Sequence, residues 1–263
     1  MPDIRDDFSS AFSDPDPVRR AQIQMLKPLP KRFYKVVTVG PTPDDAYAIL
    51  LDGRPVKTPA KQVLAVPTER LAHLLAAEWD AQAEVINPAV MPVTRLVNSA
   101  LDGVANDVES VLADIVNFAG TDMLCYRADQ PEGLVARQQA EWDPILRWAA
   151  DTLGARFILA EGVIHQTQPP SAIAAFAEAL RPHAAPLPLS SLHAMTTLTG
   201  SALLPLAVAR GRLSVDQAWS LAHLDEDWQI EHWGTDDEAF QRRELRWRDM
   251  QAAHAVLTSV AAD

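Results

Sequence analysis

The chain has 263 residues, of which 48% are hydrophobic, and this is enough apolar material for one large core or two smaller ones. Its formal net charge of -12 argues against nucleic acid or an anionic membrane surface as the main partner, because both bind clusters of Lys and Arg. No apolar run approaches the roughly 18 residues of a membrane-spanning helix, so membrane insertion is not expected. A single cysteine, Cys125, rules out a disulfide framework and favours a reducing compartment, which in a bacterium is the cytoplasm.

Residues 1–30 are acidic and contain no apolar stretch. They therefore lack the pattern of a signal or transit peptide, and their composition predicts a disordered or loosely attached arm. Residues 31–130 are expected to form an α+β domain. Its clearest feature is Asp52-Gly53, which lies between two strand-like segments and accommodates the positive φ angles of a tight hairpin turn. The predicted strands lie at 33–39, 47–51, 54–58 and 122–127, and the predicted helices at 69–83, 93–101 and 105–118.

Residues 131–263 are expected to form a helical domain. Within it, the strongly apolar segment 192–209 should be buried, and Pro205 should kink or interrupt it. Ser214 and Gln217 have the spacing of a capping box, in which each side chain bonds a free backbone amide at the start of a helix. The predicted elements are helices at 132–152, 192–209, 214–231 and 236–260, with one isolated strand near 155–160. The fold class is therefore α+β: a small N-terminal β-sheet and helix domain followed by an all-helical C-terminal domain.

Known catalytic motifs are missing from the sequence. The ten glycines are scattered, so they cannot form a loop that cradles a phosphate or a dinucleotide. There is no HExxH motif, one cysteine cannot build a structural zinc site, and no Gly-x-Ser-x-Gly elbow is present. The apolar neighbours of Cys125 favour a packing role over a reactive thiol. These absences favour a binding function over catalysis, and no metal site is expected. A hydrolase that uses scattered carboxylates is the alternative.

The most informative segment is 221–240, LAHLDEDWQIEHWGTDDEAF, in which seven acidic residues surround two tryptophans. On a continuous helical wheel, Glu226 lies in one apolar stripe with Trp219, Ala222 and Ile230. Burying an ionised carboxylate costs several kcal/mol unless it is paired. Glu226 must therefore meet an arginine of the last helix, accept several hydrogen bonds, or lie at an edge where a partner supplies the cation, and these possibilities stay open.

Other positions of the same wheel are less exceptional. Asp225 borders the apolar stripe and shares the ambiguity of Glu226. Asp227 and Glu231 fall on another face, where solvated carboxylates are ordinary. Trp228 and Trp233 are compatible with a core or with an interface, because tryptophan is enriched in the residues that dominate binding energy.

The chain resembles a known family, the assembly chaperones of the F1 sector of ATP synthase. The resemblance begins near Arg32, runs to the C-terminus and leaves the N-terminal arm outside. It is carried by ordered blocks: RFYKVV (32–37), LDGRPVKTP (51–59), EWDAQ (78–82), MPVTRLVNSALD (91–102), TDMLCYRA (121–128), RQQAEWDPIL (137–146) and HLDEDWQIEHWG (223–234).

This resemblance implies a non-catalytic function, so we expect a protein that is not an enzyme and that uses no cofactor. Members of the family, found in mitochondria and α-proteobacteria, are held to bind the free alpha subunit and to shield its nucleotide-domain interface until the beta subunit docks. It also implies a cytoplasmic protein in bacteria and a mitochondrial matrix protein in eukaryotic relatives; we expect a monomer. The residues expected at the partner interface are Glu226, Asp225, Trp228, Glu231, Trp233 and Asp236.

A chaperone that is released on assembly should not bind too tightly. Aromatic side chains supply contact area and charges supply orientation and exchange. We therefore predict a micromolar to high-nanomolar affinity that weakens with salt. The alternative of a constitutive structural subunit would require a large, mostly apolar interface.

Overall fold

The computed structural model describes residues 28–161 and 166–260. The chain divides into two compact units, and the boundary in the sequence falls between Thr94 and Arg95. The sequence placed a domain boundary at residue 130, whereas the contacts assign the helix at 108–119 to the second unit, because it packs against later helices. The predicted arm lies outside the described residues as far as residue 27, and the predicted domain ranges stay a prediction.

A small antiparallel sheet forms the centre of the first unit. Strand β1 (Val37–Pro41) pairs with β2 (Tyr47–Leu51), which in turn pairs with the two-residue strands β3 (Arg54–Pro55) and β4 (Ala65–Val66). The ladder begins later than the predicted strand at 33–39. The strand starts at Val37 for a local reason: the backbone amide of Val36 donates to the Asp52 carboxylate instead of to a neighbouring strand.

The predicted hairpin turn is confirmed. Asp52 and Gly53 have φ angles of 48° and 79°, and they join β2 directly to β3. Two positive φ angles in succession are typical of the turn that matches the twist of a two-stranded ribbon, and Asp and Gly adopt them at low cost.

Helix α1 (Glu69–Asp80) follows the sheet and is capped by Thr68, whose hydroxyl accepts from the amide of Leu71 at 3.3 Å. Its apolar side chains recur at helical spacing and face the sheet. Leu71 and Leu75 are completely buried together with Ile49 of β2, so this unit has a core of its own.

The second unit is helical. Its helices are α2 (Pro92–Asp102), which begins in the first unit, α3 (Val108–Ala119), α4 (Glu132–Trp148), α5 (Pro170–Leu180), α6 (Pro186–Thr199), α7 (Leu203–Ala209), α8 (Val215–Ala222), α9 (Leu224–Trp233) and α10 (Asp237–Val260). The core lies around α6, which packs against α3 and α10. Its largest fully buried side chains include Trp142, Phe176, Leu189, Leu192 and Met195.

The apolar segment 192–209 is interrupted, but not at the proline. Helix α6 ends at Thr199, and Gly200, with a φ of 68°, is its C-terminal cap. Helix α7 begins at Leu203. Pro205 is the third residue of α7. Residues of the first helical turn donate no hydrogen bond within the helix, so a proline is tolerated there. The buried carboxylate of Asp122 occupies the break and accepts from the amides of Ala202 and Leu203 at 2.8 and 2.9 Å. The sequence therefore predicted the interruption and misplaced its cause.

The α+β class is confirmed. One departure from an all-helical second unit is a short parallel pairing of β5 (Tyr126–Arg127) with β6 (Ala160–Glu161). The predicted capping box is also present, since the Ser214 hydroxyl accepts from the Gln217 amide and the Gln217 side chain accepts from the Ser214 amide. Over the described residues, the longest helices are too polar and the apolar ones too short to span a lipid bilayer.

Candidate partner-binding surface

The acidic segment begins at a break between two helices. His223 has φ and ψ angles of -110° and 18°, so α8 ends and α9 starts there. Its ring is buried and lies against Trp219, with ring centroids 3.9 Å apart and planes tilted by 41°, and its Nδ1 atom lies 2.8 Å from the Trp219 carbonyl oxygen. Burial, with the nearby Arg243 cation, lowers the pKa of His223, so the ring is neutral near pH 7. The continuous wheel used for residues 214–231 was therefore wrong, because His223 separates two helices.

One face of α9 is docked on α4. The Asp225 carboxylate accepts from Nε2 of Gln138 at 2.8 Å, and Gln138 is buried. Both oxygens of Glu231 lie 2.7 to 2.8 Å from Nη1 of Arg137. Between these polar contacts, the Trp228 ring lies so close to the helix backbone that a Cβ at Gly133 would be 2.6 Å from it. In this conformation, the side chains of Asp225, Trp228 and Glu231 hold α9 in place.

A second face of α9 is tied to α10 by a carboxylate other than Glu226. Asp227 lies 2.5 Å from Nη1 of Arg243, and both side chains are largely buried. The wheel had placed Asp227 on a solvated face, whereas its side chain is 30% exposed and bonded to Arg243. Asp227 is therefore the closest carboxylate to Arg243, and Glu226 lies beside the same guanidinium at 4.0 Å.

Glu226 lies near Arg243 and His223 but is hydrogen-bonded to neither. Its Oε2 atom lies 4.0 Å from Nη1 of Arg243 and 3.9 Å from Nε2 of His223, which is beyond hydrogen-bonding distance in both cases. Its side chain is 38% exposed. The carboxylate is therefore half-buried at the surface of the second unit and retains capacity to accept a hydrogen bond.

The third face of α9 lines a cleft of about 270 Å³. Four α9 residues at spacings of three and four line it, and the link to α10 and the first turns of α10 form the rest: Glu226, Gln229, Ile230, Trp233, Gly234, Thr235, Asp236, Ala239, Phe240 and Arg243. Trp233 is 76% exposed and Phe240 is 56% exposed. Two aromatic rings are thus presented to solvent beside the Glu226 carboxylate, and we call this set of residues the α9–α10 cleft.

Asp236 has a defined local role in the same cleft. Its Oδ1 atom accepts from the amides of Glu238 and Ala239 at 2.8 and 3.0 Å, which caps the first turn of α10. These hydrogen bonds from the backbone hold the pKa of Asp236 below its usual value. The carboxylate is therefore ionised at neutral pH and fixed at the edge of the cleft.

The structure thus divides the six predicted partner-binding residues into two groups. Glu226, Trp233 and Asp236 line one cleft, whereas Asp225, Trp228 and Glu231 face α4. Their role in binding stays a prediction in both groups.

Sequence reasoning missed the apolar residues on the opposite wall, Ala239 and Phe240. A signal was available at Phe240, because it is the one aromatic residue in the charged run DDEAFQRRELR at the start of α10. The positions three and four residues away from Phe240 on both sides are all charged, so no apolar stripe connects it along the helix to the core.

Charge is distributed unequally between the two units. Residues 95–260 contain 12 Arg and 22 Asp and Glu, a formal charge of -10, whereas residues 28–94 contain seven of each sign and are neutral. The α9–α10 cleft belongs to the acidic unit. The electrostatic field of this negatively charged unit attracts cations and repels anionic surfaces.

Comparison with known proteins identifies the family. The model of the ATP12 chaperone protein family matches residues 31–150. The crystal structure of the Atu1473 protein from Agrobacterium tumefaciens is similar, with 57% identity and a TM-score of 0.87, covering 97% of this chain and 96% of that one. The crystal structure of Atp12 from Paracoccus denitrificans has 40% identity and a TM-score of 0.80, covering 88% of this chain and 99% of that one.

A more distant relative extends the match to a eukaryote. The mitochondrial protein atp12 of Schizosaccharomyces pombe is 24% identical over 261 residues, which is 93% of this chain and 87% of that protein. The family consists of chaperones rather than enzymes, in agreement with the expectation from the sequence. With these similarities spanning nearly its whole length, the chain belongs to the ATP12 chaperone family.

Proposed function

We propose that this chain is an assembly chaperone that binds the unassembled alpha subunit of F1 ATP synthase and shields its nucleotide-domain interface until the beta subunit docks. The observation that carries the proposal is the α9–α10 cleft, where Trp233 and Phe240 are more than half exposed beside the Glu226 carboxylate. Exposed aromatic side chains that lie together on a folded protein mark an interaction surface. A chaperone needs such a surface for its client.

The mixture of aromatic and acidic groups suits a transient complex. Trp233 and Phe240 offer area that is desolvated on contact, and the acidic unit attracts a basic client surface over a distance that salt shortens. Binding is therefore moderate in affinity and decreases with ionic strength. A permanent subunit would use a larger and more apolar interface.

Under this proposal, the chain acts as a monomer in the bacterial cytoplasm. Its fission yeast relative is mitochondrial. Sedimentation of the purified chain at several concentrations tests the monomer, since a self-associating protein would shift to larger species as its concentration rises.

Co-expression with separate F1 subunits tests the function. The chain is produced with the alpha subunit or with the beta subunit, and the soluble fractions are separated by size exclusion. We expect the alpha subunit to stay soluble and to elute with the chain, and the beta subunit to elute alone. Elution of neither subunit with the folded wild-type chain would contradict the proposal, and so would a complex with beta but not with alpha.

Two matched variants localise the contact. Glu226→Gln removes the charge of the half-exposed carboxylate, and Glu231→Gln removes the charge of a carboxylate already paired with Arg137. We expect Glu226→Gln to weaken the alpha complex by about tenfold or more and Glu231→Gln by less than about threefold. Circular dichroism of both variants establishes that they are folded. Equal weakening by the two changes would assign the effect to overall charge.

A further inference from the structure

The α9–α10 cleft combines two kinds of surface that recognise different parts of one ligand. Ile230, Trp233, Ala239 and Phe240 contribute apolar side chains. The Glu226 carboxylate contributes negative charge beside them. An apolar group can therefore be desolvated in the cleft while a neighbouring cation meets a carboxylate.

The only cation that lines the cleft is already neutralised. Among the residues that the structure describes there, Arg243 is the sole basic side chain, and its Nη1 atom lies 2.5 Å from Asp227. The Oε2 atom of Glu226 stays 4.0 Å from the same nitrogen. A cation supplied from outside would therefore not have to displace an existing hydrogen bond of Glu226, and it would give this half-exposed carboxylate a partner closer than 3.9 Å.

The exposed indole of Trp233 adds a second attraction for a cation. A guanidinium or ammonium group is attracted to the face of an indole ring when it lies within about 6 Å of the ring centre. Trp233 is 76% exposed and lies in the same cleft as Glu226, so its ring is open to such an approach. An acidic ligand finds the opposite conditions, because the unit carries a formal charge of -10.

We infer that the α9–α10 cleft seats a client segment in which an apolar side chain is followed or preceded by an arginine or a lysine. This inference rests on the proposed chaperone function, and it names the chemistry by which the client is recognised. The apolar side chain packs on Ile230 and Phe240, and the cation lies between the Glu226 carboxylate and the Trp233 ring. Asp236 holds the first turn of α10 in position and adds to the negative potential.

The test uses the full-length chain labelled with fluorotryptophan and short peptides as probes. The first peptide, Gly-Leu-Arg-Leu-Gly with blocked ends, carries the predicted pair of groups. The second replaces arginine with citrulline, which has almost the same shape and no charge. Fluorine NMR reports on each indole separately, and the spectrum of Trp233→Leu assigns the Trp233 signal.

We expect the arginine peptide to move the Trp233 signal and the citrulline peptide to bind about fivefold to tenfold more weakly. Glu226→Gln should reduce this preference to less than about twofold, whereas Glu244→Gln, an equal change of charge at an exposed position outside the cleft, should retain it. Equal binding of the two peptides by the wild-type chain overturns the inference, and so does binding that leaves the Trp233 signal unmoved.

The two proposals can fail separately. The peptide measurement does not involve the alpha subunit, so a clear preference for arginine together with no alpha complex would refute the proposed function alone. An alpha complex that is unchanged by Glu226→Gln and Trp233→Leu, together with no preference for arginine, would refute the recognition chemistry alone.

Discussion

The indole ring of Trp228 lies against the backbone of Gly133, so close that a Cβ placed on Gly133 would be 2.6 Å from Cη2 of the ring. We predict that Gly133→Ala destabilises the protein by about 1–3 kcal/mol, because the added methyl group forces Trp228 away from α4. In an unobstructed helix the same change would stabilise by about 0.5–1 kcal/mol. Urea unfolding of the two proteins measures the difference.

A double-mutant cycle gives the control for this contact. Trp228→Ala removes the ring, and Gly133→Ala in that background should be neutral or stabilising. A Gly133→Ala change that costs the same free energy with and without the ring would show that the Trp228 contact does not limit this position.

Two tryptophans are expected to respond in opposite ways to replacement. Trp233 is 76% exposed, so Trp233→Ser should change the free energy of unfolding by less than about 0.5 kcal/mol and yet weaken the alpha complex by about tenfold or more. Trp142 is buried and donates through Nε1 to the Leu221 carbonyl at 2.9 Å. Trp142→Phe should cost about 2–4 kcal/mol of stability.

Binding by the folded part of a Trp142→Phe sample should equal that of the wild type. Unfolding curves and alpha-subunit binding measured on the same preparations separate the two effects. A large loss of stability in Trp233→Ser would contradict the exposed position of its ring.

The buried carboxyl of Asp122 should make stability depend on pH. Desolvation is the main cause that raises its pKa from 3.8 to about 6, although hydrogen bonds from Leu203, Leu124, Ser201 and Ala202 lower it. The folded state therefore holds a proton that the unfolded chain has released. As pH rises from below about 4 to above about 6, this group lowers the free energy of unfolding by on the order of 3 kcal/mol.

Asp122→Asn removes the titrating group and so supplies the reference. The measurement is the difference in free energy of unfolding between wild type and Asp122→Asn across that pH range. We expect the difference to move against the wild type as pH rises. A difference that stays constant from about pH 4 to about pH 6 would contradict a raised pKa at Asp122.

Cys125 should be inert in the folded protein. Burial is the main cause that raises the pKa of its thiol to about 12, and the nearby Asp122 charge raises it further while Arg127 lowers it. Because the thiolate is the reactive form, we expect a disulfide reagent to modify native Cys125 at least about a hundredfold more slowly than the unfolded chain. The reaction rate across a urea series should follow global unfolding, and rapid modification in native buffer would show local opening around α3 and α4.

Local rules predicted the local features correctly. Asp52-Gly53 and the capping box of Ser214 and Gln217 each depend on residues close together in the sequence, and both are present. The last helix was predicted from 236 and is observed from Asp237, because Asp236 is its cap. These features need no knowledge of the tertiary fold.

The candidate surface was harder to predict because its geometry depends on distant contacts. Neither proline nor glycine marks the break at His223, whose buried ring is held by Trp219. In the helix that follows, Asp227 lies 2.5 Å from Nη1 of Arg243, whereas Glu226 lies 4.0 Å from it. A wheel drawn through residue 223 could identify an unusual carboxylate, but it could not assign the ion pair or reveal the cleft that Phe240 helps to line.

Helix α10 has two halves with different surroundings. Its buried residues begin at Met250 and continue to Ser259, and this C-terminal half packs along α6. The half that carries Phe240 and Arg243 contains no fully buried side chain. Substitutions near Phe240 thus leave the packed core intact, so the proposed recognition surface can diverge to follow changes in a client while the remainder of the chain keeps its sequence. Compensating substitutions between chaperone and client should accordingly accumulate in the first turns of α10 and be rare beyond Met250.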